Sequence, residues 1–151
     1  MPQSIFQLAT AGVQTLVPYQ PGKPISELER ELGLTDIVKL ASNENPLGPS
    51  EKVKQAIQAS FADLSRYPDG NGFALKTALS EKWGVDSSQI TLGNGSNEIL
   101  ELLARAFLST EHEVIFSQHA FAVYPLVTQA VGAQARVIPA IDYGHDLNGM
   151  L

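Results

Sequence analysis

Between Gln89 and Pro139 the chain alternates short apolar runs with amphipathic helical stretches, and this alternation narrows the possible folds more than any other feature. Residues 90–92 (ITL) read as a strand and residues 97–108 as a helix. Residues 113–117 (EVIFS) read as a second strand. A helix follows from Tyr124 or Pro125 to Val131, with Gly132 at its end, and residues 135–139 read as a third strand. Strand–helix alternation through short loops predicts an α/β fold, a mainly parallel sheet flanked by helices. Within the first of these helices, after Asn97, polar residues occur only at Glu98, Glu101 and Arg105. So narrow a polar stripe predicts a mostly buried helix, with Glu101 and Arg105 as an i,i+4 pair on its wet side.

The preceding chain is organised differently. "VPYQPGKP" has three prolines and one glycine in eight residues and reads as an extended arm. In "ISELERELG", Ile25, Leu28 and Leu32 share one face, Pro24 suits the first turn and Gly33 a stop, so a short helix is expected. Residues 37–41 (IVKLA) read as a short strand. "SNENPLGPS" is a loop whose Ser50 can cap a helix with Val53, Ala56, Ile57 and Phe61 on one face. After the turn-rich "SRYPDGNG", Leu75, Ala78, Leu79 and Trp83 mark another amphipathic helix, stopped by Gly84. A last helix opens at Asp146 and has room for one turn. One turn of helix and three strands make an unfinished sheet, so the chain is expected to be the front part of a longer protein.

Composition excludes several classes. With 151 residues, 44% of them hydrophobic, there is chain enough for one well-buried core. The net charge is -6 and the lysines and arginines are scattered, so no basic stripe offers itself to nucleic acid. There is no cysteine, hence no disulfide or thiolate metal site, and His112, His119 and His145 do not fall at metal-ligand spacing. His119, at a strand end, reads as a hydrogen-bonded rather than a catalytic histidine. The N-terminus lacks the basic and apolar regions of a signal peptide, and no apolar run reaches membrane-spanning length. The expectation is a soluble cytoplasmic protein with no metal.

The junction "ITLGNGSNEILELLARAF" carries the strongest chemical signal. In open α/β sheets ligands bind beyond the carboxyl ends of the strands, and a helix N-terminus there offers free N–H groups to an anion such as phosphate. Gly93 and Gly95 permit the backbone angles and the close approach that this needs, and Ser96 and Asn97 can add side-chain hydrogen bonds. The stretch is neither G-x-G-x-x-G, since Glu98 stands at the last position, nor a P-loop, which disfavours a nucleotide-binding domain. A plain strand–helix turn, with glycine for geometry and asparagine as a cap, fits the same residues.

Four stretches in order, "SNENPLGPS", "RYPDGNGFALKTAL", "TLGNGSNEILELLARAF" and "HAFAVYPLVTQAVGA", together with "PGKPISELERELG", resemble the N-terminal part of the histidinol-phosphate aminotransferases. These belong to the aspartate-aminotransferase-like, fold type I enzymes that use pyridoxal phosphate. The resemblance runs from about residue 17 to 151. It implies that residues 1–41 form an arm and part of the small domain, and residues 42–151 the front of the large cofactor-binding domain. It implies that the cofactor phosphate sits at Gly95, Ser96, Asn97 and Glu98, and that Phe121 lies flat on the pyridine where many relatives carry tyrosine. Tyr67 would reach the phosphate in a neighbouring subunit, so a homodimer is implied. Asn43, Glu44 and Asn45 would border the substrate entrance, and Tyr19 would close over the substrate from the other subunit. From the residues alone, Phe121 is as well explained as core, Tyr67 and residues 43–45 as loop, and Tyr19 as packing.

The resemblance further implies a lysine that holds the cofactor as a Schiff base and moves the proton. None of Lys23, Lys39, Lys52, Lys54, Lys76 or Lys82 has the family's Ser-Lys context, so that lysine is expected beyond residue 151 and no catalytic residue is assigned here. The activity implied for the whole protein is transfer of an amino group between L-histidinol phosphate and 2-oxoglutarate. A threonine-phosphate decarboxylase, an aromatic aminotransferase or a non-catalytic remnant are the alternatives.

Overall fold

The computed structural model describes residues 4–40 and 42–151, and the chain divides into two compact units. One holds the chain up to Tyr19 together with Leu79–Leu151, and the other is Gln20–Ala78. The helices are α1 (Ala11–Gln14), α2 (Ile25–Leu32), α3 (Glu51–Ser60), α4 (Phe73–Trp83), α5 (Ser96–Phe107), α6 (Val123–Ala130) and α7 (Leu147–Met150). The strands are β1 (Glu113–Ser117) and β2 (Gln134–Ile138).

The first unit is built on β1 and β2, which are parallel and run in register from Glu113 opposite Gln134 to Ser117 opposite Ile138. Parallel neighbours need a crossover, and α6 supplies it, packing on β2 and on α5. The ladder is prolonged at both ends, where Gln134 N–H donates to the His112 carbonyl at 2.9 Å and Gln118 N–H to the Ile138 carbonyl at 2.8 Å. Glu113 and Arg136, diagonal across the strands, form an ion pair that holds the Glu113 carboxyl below its usual value.

The core is thin. Among the described residues, Ala104 of α5, Phe116 and Ser117 of β1 and Thr128 of α6 are the buried ones, and the Phe116 and Tyr124 ring centroids lie 6.3 Å apart. Thr128 can be buried because its hydroxyl donates to the Tyr124 carbonyl one turn back, at 2.7 Å. The expectation of one well-buried core, and of a mostly buried α5, is therefore not met. Leu102 and Leu103 are each 48% exposed and Phe107 69%. Periodicity identifies the apolar face of a helix, but burial needs a partner, and among the described residues only the Ala104 line of α5 has one. The Glu101–Arg105 pair does form, at 2.8 Å.

Two expected strands are absent. Residues 90–92 are not in a ladder, although Ile90 is extended (φ -109°, ψ 118°). Residues 37–40 are likewise unpaired, and Ala41, the last residue of that expected strand, lies outside the described residues. Local preference extends the backbone, whereas a strand also requires a neighbour to bond with. The helices meet expectation to within a residue or two at most ends.

In the second unit, α2 follows Pro24 and ends at Gly33, while Lys23 bridges Glu31 at 2.5 Å and Glu27 at 3.7 Å. Ser50 caps α3, its hydroxyl accepting from Val53 N–H at 3.4 Å. Asp69 opens α4 by accepting from Asn71 N–H at 3.0 Å and Phe73 N–H at 2.7 Å. These two bonds, Phe73 first, hold its carboxyl below the usual value.

Candidate active site

The turn before α5 owes its shape to two glycines with separate tasks. At Gly93 a Cβ would come within 2.8 Å of the Ile99 Cδ1 and 3.0 Å of a Glu98 carboxylate oxygen, so the position is small to admit its neighbours. Gly95 has open space where a Cβ would stand, but its φ of 78° and ψ of 178° belong to a region essentially reserved for glycine. Its N–H turns back on the Gly93 carbonyl at 2.8 Å.

Glu98 closes this turn from inside the helix. Its carboxylate accepts from Asn94 N–H at 2.6 Å and from the Asn94 amide nitrogen at 3.3 Å. A carboxylate in the first turn also answers the partial positive charge of the helix end. Gly95, as N-cap, has no side chain to offer. Among the described residues the N–H groups of Ser96, Asn97 and Glu98 consequently have no hydrogen-bond partner. Three adjacent free donors on a twelve-residue helix, approached through a glycine, form a donor set that fits a phosphate.

Phe121 stands between the C-terminal end of β1 and the start of α6, 49% exposed. Its partner is Tyr19, whose ring meets it edge-on, with centroids 5.8 Å apart and planes at 70°. Two residues a hundred positions apart are thus in contact within one chain, where Tyr19 was expected to reach the other subunit. A cavity of about 450 Å³ opens beside Phe121, lined also by Ser117, His119, Tyr124 and His145. A second, of about 540 Å³, is lined by Leu16, Tyr19, Glu101, Arg105 and Leu126. It lies where the arm, α5 and α6 meet.

The arm is anchored by a contact that the sequence reading missed. Gln129 of α6 donates its side-chain amide to the Gly12 carbonyl at 3.2 Å and to the Thr15 hydroxyl at 2.9 Å. A Cβ at Gly12 would overlap the backbone carbonyl of Gln129. The only signal in the sequence is a glycine inside a short helix, which here marks close helix approach.

The remaining assigned residues lie in the second unit. Tyr67 is fully exposed. Asn45 folds its own loop, accepting from Leu47 N–H at 3.0 Å and donating to the Gly48 carbonyl at 3.1 Å. Glu44 pairs with Lys39 at 2.6 Å, and Asn43 is exposed. Among the described residues no group of three or more His, Asp or Glu side chains could hold a metal, and no helix is long and apolar enough to cross a membrane.

Comparison with known proteins identifies the family. Residues 35–151 match the family model "Aminotransferase class I and II". The chain is 65% identical to histidinol-phosphate aminotransferase 1 of Idiomarina loihiensis over 96% of its own length and 40% of that protein's. It is 62% identical to histidinol-phosphate aminotransferase 2 of Pseudomonas fluorescens over its whole length and 41% of that protein's. The crystal structure of histidinol-phosphate aminotransferase from Sinorhizobium meliloti, in complex with pyridoxal-5'-phosphate, superposes with a TM-score of 0.81 at 26% identity, over 94% of this chain and 38% of that one. The chain thus spans about 40% of the length of the curated relatives it matches. An α/β chain with a parallel sheet flanked by helices, matched from residue 35 to its last residue, it belongs to the class I and II aminotransferase family.

Proposed function

We propose that this chain is the front portion of a pyridoxal-phosphate-dependent histidinol-phosphate aminotransferase, moving an amino group between L-histidinol phosphate and 2-oxoglutarate in histidine biosynthesis. The observation that carries the cofactor reading is the row of three unpartnered N–H groups at Ser96, Asn97 and Glu98 behind Gly95. Identities of 57–65% to histidinol-phosphate aminotransferases support the substrate.

The division of labour follows from residue chemistry. Pyridoxal phosphate, when bound, supplies the electron sink for amino-group transfer. The N–H groups of residues 96–98, with the Ser96 hydroxyl and Asn97 amide beside them, bind its phosphate. Phe121 covers an aromatic face and excludes water. Tyr19 closes on the substrate side of Phe121, and Asn43, Glu44 and Asn45 border the entrance. Tyr67, a neutral phenol donor with a fully exposed ring, serves the phosphate of the other subunit in a cytoplasmic homodimer. Residues 1–41 form the arm and part of the small domain, and residues 42–151 the front of the large domain. The rest of a relative-length chain supplies the reactive lysine and covers the exposed face of α5.

The test is an assay of the full-length protein with L-histidinol phosphate and 2-oxoglutarate, glutamate being the product followed. Turnover that exceeds that with aromatic amino acids supports the reading. Preference for aromatic donors, or decarboxylation of threonine phosphate, would move the protein elsewhere in the cofactor class. Turnover by the 151-residue chain alone would contradict the placement of the lysine outside it.

A further inference from the structure

The arm before Tyr19 is short of its own structure. Helix α1 is a single turn without a side-chain cap, and among the described residues Val17 and Pro18 have no backbone donor–acceptor pair that would fix the path to Tyr19. An isolated turn of helix does not persist on its own. What holds it is α6. The Gln129 amide bonds the carbonyl of Gly12 inside α1 and the hydroxyl of Thr15 just after it, across 117 and 114 residues of sequence. The missing Cβ at Gly12 lets the two backbones come close enough for this. Gln14 adds a local brace, its amide donating to the Ala9 carbonyl at 2.8 Å. Four residues after Thr15 the arm delivers the Tyr19 ring to the edge of Phe121.

We propose that Gln129 is a positioning residue: by clamping Gly12 and Thr15 it sets Tyr19 against Phe121 and so fixes the arm over the substrate side of the site. This rests on the reading of Tyr19 and Phe121 given under the proposed function. Gln129 touches neither ring and has no part in the chemistry. Its amide makes two bonds that together fix both the height and the rotation of the arm, whereas a single bond would leave it free to pivot. Phe121 lies two residues before α6 and Gln129 in its last turn, so the helix acts as the rigid spacer between ring and clamp.

The test uses the full-length protein and the variants Gln129→Met, which keeps side-chain length and removes the amide, Thr15→Val, and Thr15→Ser as the conservative rescue. Amide hydrogen exchange over residues 11–19 is read with and without pyridoxal phosphate, alongside KM and kcat for L-histidinol phosphate and the cofactor affinity. Gln129→Met is expected to speed exchange in the arm about thirtyfold, the consequence of losing two neutral hydrogen bonds, and to raise KM by a similar factor. Cofactor affinity and kcat should stay within about twofold, Thr15→Val, which loses one of the two bonds, should speed exchange about fivefold without adding to Gln129→Met, and Thr15→Ser should match the wild type. Unchanged arm exchange in Gln129→Met would overturn the clamp. Faster exchange with unchanged KM would overturn its role in positioning Tyr19, and a parallel loss of kcat and cofactor affinity would make Gln129 merely structural. A wild-type protein with no turnover would instead remove the functional reading, while the exchange result still decides whether Gln129 holds the arm.

Discussion

The two sides of the candidate site are held by opposite means. The turn from Gly93 to Glu98 is closed by bonds that span no more than four residues, from Gly95 N–H to Gly93 and from Asn94 to Glu98. The Tyr19–Phe121 side is assembled across more than a hundred residues, by an edge-on ring pair and the Gln129 amide. A locally closed turn carries its shape with it wherever the helix goes. An arm held by one side chain and one aromatic contact is the part that can lift. That distribution of rigidity suits the proposed site, which would keep its cofactor and exchange its substrates.

The comparison can be broken most forcefully at Gly95. Gly95→Val places a β-branched residue at φ 78°, where the backbone strain is about 1–3 kcal/mol, and disturbs the free N–H row. Pyridoxal phosphate affinity in the full-length protein should fall by about tenfold or more, as spectrophotometric titration would show. Unchanged affinity would place the phosphate elsewhere. Gly12→Val attacks the other side. It forces a side chain into the Gln129 carbonyl and should cost about 1–3 kcal/mol by overpacking, seen as a lower unfolding midpoint in denaturant. The arm should exchange faster while cofactor affinity holds, and loss of both together would mean that the two sides are not independent.

Asp69 sharpens the point about local closure because it is a second turn of the same kind. Its folded carboxyl is depressed by the Phe73 and Asn71 N–H groups, so its contribution to stability is complete above the ordinary value of 3.8. It is lost only as pH falls through the lower folded value. Amide protection at Asn71 and Phe73 should drop in Asp69→Ala, and the gap from wild type should persist down to the ordinary value and fade below it. A gap already closing near about pH 5 would contradict the assignment. The smallest effect is expected from Glu98→Gln. The amide oxygen can still accept from Asn94 N–H, while the negative charge beside the helix end disappears. Phosphate-ligand affinity should rise by about twofold, the scale of a charge near a helix terminus, and weaker binding would mean that the carboxylate is needed to hold the turn.

Much of this was legible in the sequence, and the reason lies in range. The glycine need at Gly95, the Ser50 cap and the stop at Gly33 are decided by neighbours within a turn, and the structure has them as read. Strand β1 was legible because EVIFS has both the pattern and, in β2, a partner. Residues 90–92 have the pattern alone and stay unpaired. The apolar face of α5 was read correctly as a face and wrongly as buried, since covering Leu103 or Phe107 is a matter of what packs there. The Gln129–Gly12 contact left a single glycine as its trace, and nothing near Gln129 in sequence marks it as the partner.

The central claim is that the end of α5 recognises a phosphate. It is tested most directly by comparing the affinities of the full-length protein for pyridoxal phosphate and for pyridoxal, which lacks the phosphate, in the wild type and in Gly95→Val. The account predicts a strong preference for pyridoxal phosphate that collapses in the variant, with pyridoxal binding little changed. A preference that survives the substitution would contradict it.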